Sequence, residues 1–277
     1  MRRAVTDALA VLSCIRFVAL LVAVAILAAS CGDDPHGTAQ ARTAQRTAAG
    51  SIDIRSAAYH AVPLTSTGSI VGTVQLDGEV GDSAVITTTD AAICGAAIPD
   101  SSIVHRGTAL GNVVVWLSDV TQGKPLPVER RTEIVNEDCQ LEPRVQAVVA
   151  GTTVNVRNED RLAHTTRFVL GGVAGDTLAS IPLTDDGQVV PNEHIAAKPG
   201  MVAVTCRQHP WTHGYIAVFE SPYFAVSNDS GTFRIDSVPP GKYHLVAWHE
   251  RGRAQVDQEI EVRANADNRA DIKIKVQ

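Results

Sequence analysis

From Ser69 to the C-terminus the chain never sustains an apolar stripe at helical period for three turns. It is broken instead into short β-prone runs, and this pattern is the strongest constraint on its fold. The runs include Ile70-Val71-Gly72-Thr73-Val74, Val113-Val114-Val115-Trp116-Leu117, Thr152-Thr153-Val154-Asn155-Val156, Val202-Ala203-Val204 and the alternating Ile272-Lys273-Ile274-Lys275-Val276. Turn-forming clusters separate them, among them Asn158-Glu159-Asp160, Asp185-Asp186-Gly187, Lys198-Pro199-Gly200 and Pro239-Pro240-Gly241. Many short strands with such punctuation predict an all-β protein of sandwich or barrel class, the sandwich being the better fit. With 45% apolar residues the chain is not disordered throughout. Its net charge of −6 argues against wrapping a phosphate backbone, so no nucleic-acid partner is expected.

The N-terminus reads as an address. Arg2, Arg3 and Arg16 precede an apolar run, Phe17 to Ser30, that is short for a membrane span. Ala28-Ala29-Ser30-Cys31 then resembles the lipobox of bacterial lipoproteins, with Ala28 in place of the usual Leu. That resemblance implies lipidation of Cys31 and attachment to a membrane through the lipid. A plain secretory signal or an anchoring helix are the alternatives. All three place the rest of the chain outside the cytoplasm, in the periplasm or at the cell surface. Residues 1–31 are therefore read as a lipoprotein signal segment. Residues 32–67, rich in Ala, Thr, Ser, Gly and Arg, are read as a flexible tether.

Five cysteines are present: Cys14, Cys31, Cys94, Cys139 and Cys206. Once Cys14 has left with the signal and Cys31 carries lipid, three remain in an oxidising compartment. The simplest solution is a disulfide between Cys94 and Cys139 with Cys206 free.

Cys206 has informative neighbours. Alternation through Val202, Val204 and Cys206 brings the thiol to the inner face of a strand, and His209 follows three residues later. Upstream, Val154-Asn155-Val156-Arg157-Asn158-Glu159-Asp160 ends another strand, and His164 follows. Two imidazoles and a thiolate form the trigonal set that redox-active copper prefers.

This constellation resembles the cupredoxins, nearest the amicyanin and plastocyanin type with its Cys-x-x-His-Pro-(aromatic)-Met-x-Gly loop. Cys206, His209, Pro210, Trp211 and Gly214 fall on that pattern, and His164 falls on the family's upstream histidine. The resemblance implies a cupredoxin-like Greek-key β-sandwich in residues 68–220. It also implies one mononuclear copper ion held by His164, Cys206 and His209. The family's axial Met is replaced by Thr212, with His213 adjacent, and either residue is a candidate for the axial direction. Pro210 and Trp211 would then form an apolar docking rim around His209.

The stretch Gly231 to Glu250 is a strand, a Pro-Pro-Gly turn and a second strand. It is similar to carboxypeptidase regulatory-like modules of the transthyretin-like superfamily, which implies a smaller β-sandwich in residues 221–277. The opening run Gly68 to Val74 looks like such a module's first strand, so early strands are expected to be shared with it.

The function expected from these residues is that of an extracytoplasmic, membrane-tethered copper protein. It would carry single electrons to a redox or envelope partner, or hold copper. The alternative is a metal-free sandwich that binds carbohydrate or an envelope protein; exposed aromatics would favour it, and Trp116 and Trp248 are read as core or inter-module packing instead. The chain has no Gly-x-Ser-x-Gly elbow, HExxH or phosphate-binding loop, and no catalytic role is expected.

Overall fold

A computed structural model describes residue 54, residues 58–252 and residues 255–276, all within the compact unit Arg46–Gln277. The signal segment, Cys31 and most of the tether lie outside the described residues. Among the described residues the protein is all β, with one single-turn helix, Ala91–Cys94. No described helix is long and apolar enough to cross a membrane.

Four larger sheets build two sandwiches. In the first sandwich, Gly68–Leu76 lies between Thr232–Val238 on one side and Asp267–Arg269 and Ile272–Ile274 on the other. Against that sheet packs a four-stranded sheet ordered Phe224–Val226, Val114–Leu117, Gly241–Trp248 and Val256–Val262. The strand Gly68–Leu76 alternates strictly between buried and half-buried positions, as period-two patterning requires. Ile70, Val74, Leu117, Ile235, Leu245 and Ile272 meet in its core. Strands from residues 68–117 thus pack with residues 223–274 from the other end of the chain.

The second sandwich uses the continuous stretch 131–219. One sheet runs Gln140–Glu142, Arg131–Glu137, Thr152–Asn158, Val189–Ala196. The facing sheet runs Val145–Val149, His213–Phe219, Gly200–Cys206, His164–Leu170, Asp176–Leu183. Ile134, Val156, Phe168, Val204 and Ile216 fill the space between them, each fully buried. Each such side chain contributes about 1.5–3 kcal/mol through the apolar surface it removes from water.

A third cluster joins the sandwiches. Val114 and Trp116 project from one face of their strand while Val113, Val115 and Leu117 project from the other. The unbroken Val-Val-Val-Trp-Leu run is therefore buried on both faces, which explains why it does not alternate. Across this seam stand Val145, Met201, Ala217 and Phe219 of the second sandwich. Trp116 is 3% exposed here, and Trp248 rests edge-on against Tyr215, so both tryptophans are packing residues rather than an open platform.

The tether ends earlier than its composition implies. His60–Ala61 pairs with Gln122–Gly123, and Tyr59 donates to the Lys124 carbonyl while its ring meets Tyr223. These contacts give residues 59–61 defined partners that a free linker lacks.

Candidate metal centre

The strand Gly200–Cys206 carries Val202 and Val204 into the second core and delivers Cys206 to the same face, 4% exposed. Its antiparallel neighbour pairs Thr166 with Cys206, which places His164, the first residue of that strand, just beyond the thiol. The loop after Cys206 turns back through a bond from the Thr212 amide to the His209 carbonyl, bringing His209 beside both. Gly214 then restarts a strand close to Arg144, where a Cβ would lie 3.0 Å from the Arg144 carbonyl oxygen.

Three donor atoms converge. Cys206 Sγ lies 3.6 Å from His164 Nδ1 and 3.6 Å from His209 Nδ1, and the two Nδ1 atoms are 3.1 Å apart. The point equidistant from all three is about 2.0 Å from each, the length of an ordinary metal–nitrogen bond. His164 and His209 are 1% and 0% exposed. No other group of three His, Cys, Asp or Glu donors this close occurs among the described residues.

The outer ring nitrogens fix the tautomers. His164 Nε2 is 2.9 Å from Asp160 Oδ2, and His209 Nε2 is 3.2 Å from Asp90 Oδ2. A carboxylate only accepts, so each Nε2 carries a proton, and in the neutral ring each Nδ1 turns its lone pair inward. Two inward imidazole nitrogens and a sulfur facing one another are the donors a cation would bridge once their inner protons are lost. The donor set therefore fits a metal ion. Burial opposes the charged form of Cys206. Hydrogen bonding from His164 and from the amides of Thr165, His209 and Gln208 outweighs it and brings the thiol down to about 6. Burial likewise opposes charge on His164, but Asp160 and Cys206 push it up to about 9.

The surroundings are built to hold this arrangement. Asn158, fully buried, accepts from the Asp160 amide and donates to the Leu162 and Asp185 carbonyls, fixing the turn before His164. Gln208 clasps the neighbouring strand, accepting from the Thr165 amide at 2.9 Å and donating to its hydroxyl at 3.0 Å. The Cys94–Cys139 disulfide is formed and Cys206 is free and buried.

Other sequence candidates fall differently. The Thr212 hydroxyl donates to the Cys139 carbonyl at 3.2 Å and is committed to that bond. His213 pairs with Thr205, one residue before Cys206, so its side chain faces the opposite side of the sheet from the thiol. There burial and the Arg144 guanidinium hold its pKa below the usual histidine value. Neither residue supplies the converging set. Trp211 is 9% exposed and donates through Nε1 to the Cys139 carbonyl, so it is a buried prop and not part of a docking rim. Asp160 was within reach of the sequence, four residues before His164. Nothing in the sequence ties Asp90 to His209, which is 119 residues away.

Residues 199–270 match the family described as polysaccharide lyase family 4, domain II. No curated protein matches the chain. Similar solved structures include a purple cupredoxin from Nitrosopumilus maritimus, 24% identical with a TM-score of 0.27, covering 31% of this chain and 98% of that one. Amicyanin from Paracoccus versutus is 22% identical with a TM-score of 0.27, covering 34% and 84%. Auracyanin A, a blue copper protein from the green thermophilic photosynthetic bacterium Chloroflexus aurantiacus, is 21% identical with a TM-score of 0.28, covering 32% and 97%. These likenesses span about a third of the chain, and the geometry of the site carries the functional reading.

Proposed function

We propose that the protein binds one copper ion through His164 Nδ1, Cys206 Sγ and His209 Nδ1, as an extracytoplasmic copper protein tethered to a membrane through Cys31. The observation that carries this reading is the convergence of one thiolate and two inward imidazole nitrogens, each ring fixed from outside by a carboxylate. Copper, when bound, supplies a one-electron couple. The chain's own residues orient the donors, exclude water and keep the thiol ready to lose its proton.

Between carrying electrons and holding the ion, holding has the better support. A carrier needs a histidine edge open to a partner, whereas His209 is fully buried with Asp90 across its outer nitrogen. Trp116 and Trp248 pack in the seam and offer the binding-module alternative no aromatic platform.

Adding Cu(II) to the full-length protein should give one equivalent of tightly held metal and a visible thiolate-to-copper charge-transfer band. Cys206→Ser should abolish the band. Failure of the wild type to take up stoichiometric copper overturns the proposal.

A further inference from the structure

Asp90 sits in an uncommon backbone state for a residue with a side chain, φ 50° and ψ 26°. It stands at the N-cap of the helix Ala91–Cys94, where an Asp normally bonds the free amides of the first turn. Here the carboxylate makes no such bond and points instead at His209 Nε2, 3.2 Å away. The helix buries none of its residues, so apolar packing does not hold it in place. Its ties to the second sandwich are the Cys94–Cys139 bridge, the bond from Thr89 Oγ1 to the Gln208 carbonyl, and the Asp90–His209 contact itself.

Cys139, at the other end of the bridge, also has a positive φ, 60°. Its amide donates to Asp160 Oδ2, the oxygen that holds His164. Its carbonyl accepts from Trp211 Nε1 and Thr212 Oγ1, beside His209 in the ligand loop. One bridged residue therefore touches the outer partner of one imidazole and the loop carrying the other, and through Cys94 it brings in the second carboxylate.

We propose that Asp90 is a positioning residue for His209, delivered across the ring's outer edge by the Cys94–Cys139 bridge so that Nδ1 faces Cys206 and His164. The orientation of His209 stands on its own geometry. The effect on metal rests on the copper-site reading above. A carboxylate behind a ligating imidazole raises its basicity, and removing such a partner typically weakens metal binding 10–100-fold. Its negative charge also favours a doubly over a singly charged ion. A tenfold loss of Cu(II) over Cu(I) affinity corresponds to a rise of 59 mV in the reduction potential.

Asp90→Gly is the test variant, because glycine adopts the left-handed backbone without strain and keeps the fold. In protein stripped of metal, nitrogen NMR of the histidine rings should show His209 as the Nε2–H tautomer with a slowly exchanging proton. In Asp90→Gly and in Cys94→Ser/Cys139→Ser, that proton should exchange freely and the tautomers should mix. Asp90→Asn, which keeps an acceptor without charge, should retain most of the ring pattern. Titration with Co(II) and Cu(II) should show the 10–100-fold loss in Asp90→Gly. Unchanged ring signals and unchanged divalent affinity in Asp90→Gly would overturn the role. If no variant or wild type binds metal but the ring signals change as described, the positioning role stands and the copper reading falls.

Discussion

The two sandwiches are built from the same material, alternating strands rich in Val and Ile, yet they bury different things. The core of the first is mostly apolar, and its few buried polar side chains satisfy backbone groups. The Tyr223 hydroxyl accepts from the Lys124 amide and donates to the Ser237 carbonyl, and the Ser227 hydroxyl accepts from the Val113 amide and donates to the Leu110 carbonyl. The second ends in a cluster of polar side chains, Asn136, Asn158, His164, Thr166 and His209, none more than 1% exposed. Burying a polar group costs about 1–3 kcal/mol when it goes unpaired, and each of these five has partners. His249, at the strand end of the first sandwich, shows the contrast. It is just as buried, but only its Nδ1 is bonded, accepting from the Arg251 amide, while its Nε2 has no hydrogen-bond partner. Buried histidines occur in both regions, and among the described residues only the pair held by carboxylates faces a third donor. Matched outer partners, more than burial or residue type, distinguish a site from a packed histidine.

The seam between the sandwiches is where that comparison can be broken most severely. Arg144 forks onto Glu250 at 2.5 and 2.8 Å, both largely buried. Arg144→Ala strands the carboxylate and should cost about 3–5 kcal/mol in denaturant unfolding, whereas Arg144→Met/Glu250→Leu should recover most of the loss. A single transition in both proteins would mean that the sandwiches unfold together; two transitions would show that they differ in stability as well as content. Next in size, Leu245→Ala empties a fully buried site in the first core. It should cost about 3 kcal/mol while leaving the copper charge-transfer band unmoved. A shifted band would show that the first sandwich shapes the metal centre after all.

The smallest effect is absent at pH 7 and grows with acid. Burial, reinforced by Arg144 and Arg251, brings His249 down to about 4. The unfolded chain takes up that proton near pH 6.5 while the folded protein resists until about pH 4, so stability falls as pH drops through this window and levels off below it. The slope is at most about 1.4 kcal/mol per pH unit. His249→Phe should flatten it in urea melts at pH 7, 6, 5 and 4.5, and an unchanged slope would assign the acid sensitivity elsewhere.

Much of this protein was legible from residues alone. Alternation is a local property of a strand, so Gly68–Leu76, Thr152–Asn158 and Gly200–Cys206 could be read directly, as could the inward face of Cys206. With Cys14 and Cys31 read as parts of an export segment, Cys94–Cys139 was the simplest pairing, and it is the one the fold forms. The spacing of Cys206 and His209, with His164 after a distant strand end, named three side chains that the fold brings together.

What spacing could not supply was direction through a turn and contact across layers. Alternation counted from Cys206 stops at the turn before His213, and only the pairing of His213 with Thr205 turns that imidazole to the far face. The four-sheet order depends on which apolar faces meet, so it decided which groups Trp116 and Trp248, read as packing residues, rest against. Asp90 illustrates the limit most clearly. A carboxylate 119 residues from its histidine leaves no periodic mark in the sequence, and it arrives because a disulfide closes the chain there. The sequence by itself determined the main strands and the spacing of the three donors and pointed to the bridge, since each follows from local chemistry or a count. The tertiary structure alone decided what stands behind each imidazole, because that depends on distances between segments which no local pattern encodes.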